Sequence, residues 1–307
     1  MLEQNSTIKL VEVGPRDGLQ NEKKVLSTEE KLVFINMLIK AGLTKIEATS
    51  FVRPDIVPQM GDSSLLYSKL DQSNSLVSYP CLVPNLKGLE MAIKTEVKEI
   101  AIFTAISETF NKKNINRTIK ESLKDIQEII KYAKAENMKI RAYISTAFGC
   151  PYEGEMKTDD LVNMTLSLDD FGAYDISIGD TIGVAFPHQV SNYLEKVKAH
   201  CDLAKLSMHF HDTKERAIDN IKTSYDLGVT SFDTSAGGLG GCPFAKGATG
   251  NVATEDVVDF FEKLKINTGV NLNLLREASL YILKKLNKQT TSKYLQNYIK
   301  NKNENEN

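Results

Sequence analysis

Two histidines one residue apart, His209 and His211, stand at the end of the β-rich run LSMHFHD (206–212). On an extended strand, side chains two apart leave the same face, so both imidazoles can reach one ion. Neutral imidazole suits manganese, zinc or iron, whereas added carboxylate and amide oxygens favour magnesium or manganese. Asp17, in VEVGPRDG, and Asn251, closing the glycine-rich segment GGLGGCPFAKGATGN (237–251), can supply such oxygens. The plainer readings are hydrogen-bonded core histidines, a turn aspartate and a helix-capping asparagine.

Arg16 adjoins Asp17, and its forked guanidinium suits a carboxylate or a developing enolate oxygen. Glu47 and Asp180 are acids set in apolar runs, KIEATSF (45–51) and YDISIGD (174–180). Buried carboxylates need partners; Arg16, a metal surround or a structural ion pair could provide one. Cys242 lies inside the glycine-rich segment. Over a cationic site its thiol could exchange protons, although a lone cysteine can also be an inert small apolar residue. Cys81, Cys150 and Cys201 read as structural, and His188 and His200 as surface residues.

Other strand candidates are KLVEVG (9–14), LVSYPCLV (76–83), EIAIFTA (99–105), KIRAYIST (139–146) and SFDTS (231–235). Amphipathic stretches at 28–41, 116–136, 158–171, 213–227 and 254–265 alternate with the strands. Ser27 or Thr28, Thr158 with Asp159, and Thr254 with Glu255 read as helix starts. Ala41-Gly42 and Leu227-Gly228 read as helix stops. Eight β/α units predict an α/β fold, a TIM (β/α)8 barrel with additional C-terminal helices; an open doubly wound sheet is the alternative. In such a barrel the C-terminal strand ends carry the site. Arg16, Asp17, Asp180, Thr181, His209 and His211 fall at such ends, while Glu47, Arg141 and Tyr143 lie within strands.

One catalytic domain is expected over 1–300, with the barrel at about 8–270, a helical extension at 271–300 and a disordered polar tail at 301–307. The chain has 307 residues, 41% hydrophobic and 25% charged, ample for a sizeable core. A formal charge of −2 offers no field to gather nucleic acid or anionic lipid. No window approaches a membrane span, and the N-terminal MLEQNSTIKLVEV reads as neither signal nor transit peptide. Four widely spaced cysteines without a CxxC pair suggest reduced thiols, and a cytoplasmic location is expected.

Taken in order, the motifs resemble the 3-hydroxy-3-methylglutaryl-CoA lyase family, a branch of metal-dependent TIM-barrel enzymes that includes 2-isopropylmalate and homocitrate synthases. The carriers are VEVGPRDGLQNEK (11–23), IEATSFV (46–52), VPQMGD (57–62), PNLKG (84–88), KKNIN (112–116), GCPYEG (149–154), GDTIGV (179–184), HFHDT (209–213), the glycine-rich segment and VATEDVV (252–258). RDGLQ in place of the synthases' RDGEQ, together with GGLGGCP, favours the lyase branch.

The resemblance implies Asp17, His209, His211 and Asn251 as ligands of a magnesium or manganese ion, Arg16 as substrate and enolate holder, and Cys242 as proton carrier. Glu47 and Asp180 would position these groups, while Gln20, Asn114, Arg141, Tyr143 and Thr181 would line the acyl and CoA site. The implied reaction is retro-Claisen cleavage of the acyl-CoA to acetyl-CoA and acetoacetate by a homodimer, as in leucine breakdown or ketone-body formation. The alternatives are a Claisen-condensing synthase, betrayed by free CoA released from acetyl-CoA plus a 2-oxo acid, and a non-catalytic acyl-CoA-binding barrel. Lys214-Glu215-Arg216, after HFHDT, departs from the family pattern of a small or aromatic residue and glycine.

Overall fold

The computed structural model describes residues 8–241 and 250–305. The expected strands form where β-branched and aromatic residues cluster. They are β1 (Lys9–Glu12), β2 (Lys45–Ile46), β3 (Thr49–Ser50), β4 (Cys81–Leu82), β5 (Glu99–Ala105), β6 (Lys139–Ser145), β9 (Asp175–Asp180), β10 (Leu206–Phe210) and β11 (Ser231–Thr234). A small hairpin, β7 (Gly149–Cys150) with β8 (Gly154–Glu155), follows β6. The main sheet is parallel throughout, in the order β2-β1-β11-β10-β9-β6-β5-β4-β3.

Its two ends are halves of one segment. Residues 45–51, expected as a single strand, break at Glu47-Ala48. The first half pairs with β1 and the second with β4, so the sheet closes on itself. Glu47 donates its amide to Glu12 O, and Ala48 donates to Pro80 O, so the seam is stitched from both sides. The structure is therefore the closed barrel, not the open sheet.

The helices are α1 (Thr28–Lys40), α2 (Ser63–Ser68), α3 (Leu86–Lys94), α4 (Glu108–Ile115), α5 (Ile119–Ala135), α6 (Thr158–Phe171), α7 (Pro187–Val197), α8 (Ala217–Asp226), α9 (Thr254–Lys263), α10 (Leu272–Leu286) and α11 (Lys293–Asn305). Their apolar faces, such as Phe34, Ile35 and Leu38 of α1, meet the outward side chains of the strands in one contiguous core. Ser27 starts α1 through a capping box with Glu30, a device that contributes about 1 kcal/mol. Gly42 and Gly228 follow their helices with φ of 102° and 112°, the left-handed stops expected.

Three local expectations are corrected. Thr158 is not a cap, and its hydroxyl accepts from Asn192 Nδ2. Thr254 is not one either, because its hydroxyl turns to the buried Glu12 carboxylate at 2.7 Å. The polar tail is helical to Asn305: Asp256 accepts the first amides of α11, from Lys293 and Tyr294, and Leu295 anchors its first turn in the core. Once nucleated, a helix extends cheaply into polar sequence. Among the described residues no helix is long and apolar enough to cross a membrane.

Candidate functional site

The segment GPRDG (14–18) leaves β1 as one π-turn, closed by the Gly18 amide on Val13 O at 3.1 Å. Such turns are uncommon and often sit at functional sites. This one aims Arg16 and Asp17 over the barrel mouth. Arg16 donates from one terminal nitrogen to Asp17 Oδ1 and from the other to Glu47 Oε2, each at 2.7 Å. Tyr143 donates its hydroxyl to the same Glu47 oxygen at 2.8 Å. Gln20, half-buried, holds Asp17 Oδ1 at 3.0 Å.

Two strands along the sheet from β1, His209 and His211 leave the same face of their strand, with ring centroids 5.4 Å apart. One ligand atom from each of Asp17, His209 and His211 falls within 4.8 Å of the other two. Asn251 is brought in by an antiparallel bridge to His211, and its Nδ2 donates to Asp17 Oδ2 at 2.8 Å and to Leu239 O at 3.0 Å. Asn251 Oδ1 and His211 Nδ1 are buried without hydrogen-bond partners. Buried polar atoms left unpaired are rare and ask for an explanation. A carboxylate, two imidazoles and an amide oxygen with two unpaired acceptors fit a divalent cation.

The electrostatics agree. Burial alone would push the Asp17 carboxyl up, but the Arg16 guanidinium and the two histidines more than offset it and hold it below the usual range. Burial, then the neighbouring His209, lowers His211 to about 4, which favours the neutral imidazole that a cation needs. Burial would also lower His209, but the Asp233 carboxylate raises it on balance. Burial raises the Glu47 carboxyl against the pull of Arg16.

Asp180 and Arg141 lie elsewhere than a direct role requires. Asp180 accepts the Val184 and Ala185 amides, both at 3.0 Å, so it shapes the turn after β9; burial lifts it to about 6. Arg141 has no exposed surface and donates to Asp175 at 2.8 Å, to the Tyr143 hydroxyl at 2.9 Å and to Asp233. It is the hub of the barrel's polar interior, beneath any ligand at the rim. Thr181, half-buried, accepts the Thr146 amide at 2.7 Å, and Asn114 is exposed near the end of α4. Cys242 falls outside the described residues.

Asp233 is the residue the sequence reading passed over. It takes His209 Nδ1 at 3.1 Å and Ser177 Oγ at 2.7 Å on one oxygen, and Arg141 on the other. Its signal was present, an acid inside the strand run SFDTS, of the same kind that drew notice to Glu47. The departing Lys214-Glu215-Arg216 also has a local account. Glu215 turns left-handed at φ 55°, and α8 therefore begins at Ala217, whose amide is capped by Asp212. Arg216 lies over the Phe186 ring at 3.6 Å and donates to Val184 O at 3.1 Å.

The family model described as HMGL-like matches residues 7–282. Human mitochondrial hydroxymethylglutaryl-CoA lyase is 47% identical over 289 residues, covering 94% of this chain and 89% of the relative. The HMG-CoA lyase of Bacillus subtilis superposes with a TM-score of 0.92 at 42% identity, covering 95% of this chain and 98% of the other. An Acinetobacter baumannii HMG-CoA lyase, solved in complex with coenzyme A and 3-methylmalate, gives a TM-score of 0.89 at 33% identity over 94% of this chain and 93% of the other. With its closed barrel and its rim of Arg16, Asp17, His209, His211 and Asn251, the chain belongs to the HMGL-like family.

Proposed function

We propose that this chain is a hydroxymethylglutaryl-CoA lyase that splits (S)-3-hydroxy-3-methylglutaryl-CoA into acetyl-CoA and acetoacetate. The observation that carries the reading is the meeting of Asp17, His209 and His211 within 4.8 Å, beside an arginine already clamped between two carboxylates. The relatives named above bear the same activity in their names.

A magnesium or manganese ion held by Asp17, His209, His211 and Asn251 Oδ1 would polarise the tertiary hydroxyl and anchor the terminal carboxylate. In the cleavage, the hydroxyl proton leaves, the C2–C3 bond breaks, and its electron pair moves into the thioester enolate. C3 becomes the ketone of acetoacetate, and a proton added to C2 gives acetyl-CoA. The hydroxyl proton is assigned to Asp17, whose carboxylate keeps lone pairs to spare when it holds an ion, whereas a His209 that gives Nε2 to the ion has none left. With Nδ1 turned to Asp233, the remaining Nε2 faces the cluster. Arg16, fixed by Asp17 and Glu47, is set to stabilise the enolate oxygen. Cys242 is assigned the proton to C2 from its place in the glycine-rich segment alone. Gln20 and Tyr143 are placed next to the acyl group. A cytoplasmic homodimer completes the reading; the curated relatives include both cytoplasmic and mitochondrial lyases.

One coupled assay tests it. Acetoacetate should form from the CoA thioester, stop with chelator and return with Mg or Mn. Free CoA released from acetyl-CoA and a 2-oxo acid, without acetoacetate, would reassign the chain to the condensing synthases.

A further inference from the structure

Behind the rim, residues 287–292 join α10 to α11 and cross the root of the glycine-rich segment. Thr290 donates its hydroxyl to Gly237 O at 3.0 Å, and Thr291 donates to Gly238 O at 3.2 Å. The connection is itself tied down by Asp256 of α9, which accepts Ser292 Oγ at 2.7 Å and the Lys293 and Tyr294 amides at 3.0 and 2.9 Å. From the other side, the Gly237 amide is held by both oxygens of buried Glu255 at 3.0 and 3.1 Å. Both glycines are left-handed, at φ 70° and 69°, and a side chain on Gly238 would strike the Thr291 hydroxyl.

The backbone so gripped is the shelf on which Asn251 rests. Leu239 O, next in line, takes Asn251 Nδ2 at 3.0 Å. That bond fixes which end of the amide is which and leaves Oδ1 unpaired. Gly250 is pressed against the same shelf: a Cβ there would lie 2.5 Å from Gly238 O. The chain's contact with Asn251 therefore depends on where residues 237–240 are held, and the two threonines hold them.

We propose that Thr290 and Thr291 are positioning residues for the cation ligand Asn251, so that the C-terminal connection sets the affinity of the metal site. The proposal rests on the reading of Asp17, His209, His211 and Asn251 as the ligand set. Thr290 and Thr291 touch neither substrate nor ion; they act through the carbonyls of Gly237 and Gly238 and the amide of Asn251.

The test is a manganese titration of the metal-free full-length protein, followed by the paramagnetic signal of free Mn(II), alongside thermal melting. Losing a partner of a ligand commonly weakens metal binding about 10–100-fold, and one step further out about 3–10-fold is expected for Thr290→Val and Thr291→Val. Thr290→Ser and Thr291→Ser, which keep the hydroxyl, should bind as the wild type does. Asn251→Ala gives the full effect of losing the ligand. Valine variants that melt lower but bind manganese normally, while Asn251→Ala binds weakly, would overturn the proposal and leave the metal site standing. If Thr290→Val fails to fold, the exposed Thr291→Val decides alone. Equal binding by wild type and Asp17→Ala would instead sink the ligand set, and this proposal with it.

Discussion

His209 Nδ1 stands 3.1 Å from Asp233 Oδ2, and the other oxygen of that carboxylate is bound by the fully buried Arg141. One acid thus orients a cluster histidine and neutralises the cation at the barrel's centre. Asp233→Asn should weaken metal binding about 10–100-fold, because the amide can present a donor where the imidazole needs an acceptor. It also strips Arg141 of one of two anionic partners. Breaking a buried pair costs about 3–5 kcal/mol, and the surviving Asp175 contact puts the expected loss at the lower end. Chemical denaturation and manganese titration of one sample separate the two effects.

Arg16 bridges Asp17 and Glu47 with its two terminal nitrogens, both at 2.7 Å. Arg16→Lys keeps the charge but offers a point where the site has a fork. Turnover should fall about 10²–10³-fold, the scale of losing one preorganised donor to a developing oxyanion. Metal affinity should change little. Steady-state kinetics beside a metal titration check this; an unchanged kcat would remove Arg16 from the chemistry.

Asp180 is bound by the Val184 and Ala185 amides and has no ion-pair partner among the described residues. Asp180→Asn can keep one of the two bonds and presents a donor to the other. The expected result is a stability loss of about 1–2 kcal/mol with metal affinity retained. A loss of metal binding as large as that of Asp17→Ala would restore Asp180 to the ligand surround.

Glu12 and Glu255 are fully buried carboxyls that burial lifts to about 7 and about 8. A folded-state value above the ordinary 4.5 means that the folded chain binds the proton more tightly than the unfolded chain does. Stability from this source is therefore complete below about pH 4.5 and declines as pH rises through the folded value. Glu255→Gln removes the titration. Against wild type it should gain stability between pH 6 and 9, by about 2–5 kcal/mol at the upper end. Urea melts at the two pH values check the sign.

Much of this was legible in the sequence. Runs such as EIAIFTA and the 158–171 stretch became elements with the same bounds, because β-branched density and helical period leave few other choices. The candidate metal cluster was legible through the HxH spacing and the likeness of RDG to a family motif. Arg141 was set at the acyl and CoA site by the resemblance alone, and only the closed barrel reveals that it lies buried between Asp175 and Asp233. Asp233 was missed for the complementary reason, its partners being 24 to 92 residues away. The caps at Thr158 and Thr254 failed because those hydroxyls had tertiary partners, which local rules do not see.

The break at Glu47-Ala48 ties assembly to activity. The segment that locks the cylinder also delivers, at its kink, the carboxylate that Arg16 grips, so an unlocked cylinder would lack both a finished wall and a neutralised guanidinium. A form with that junction undone would leave Arg16 without Glu47, so closing the cylinder and completing the arginine clamp are one event.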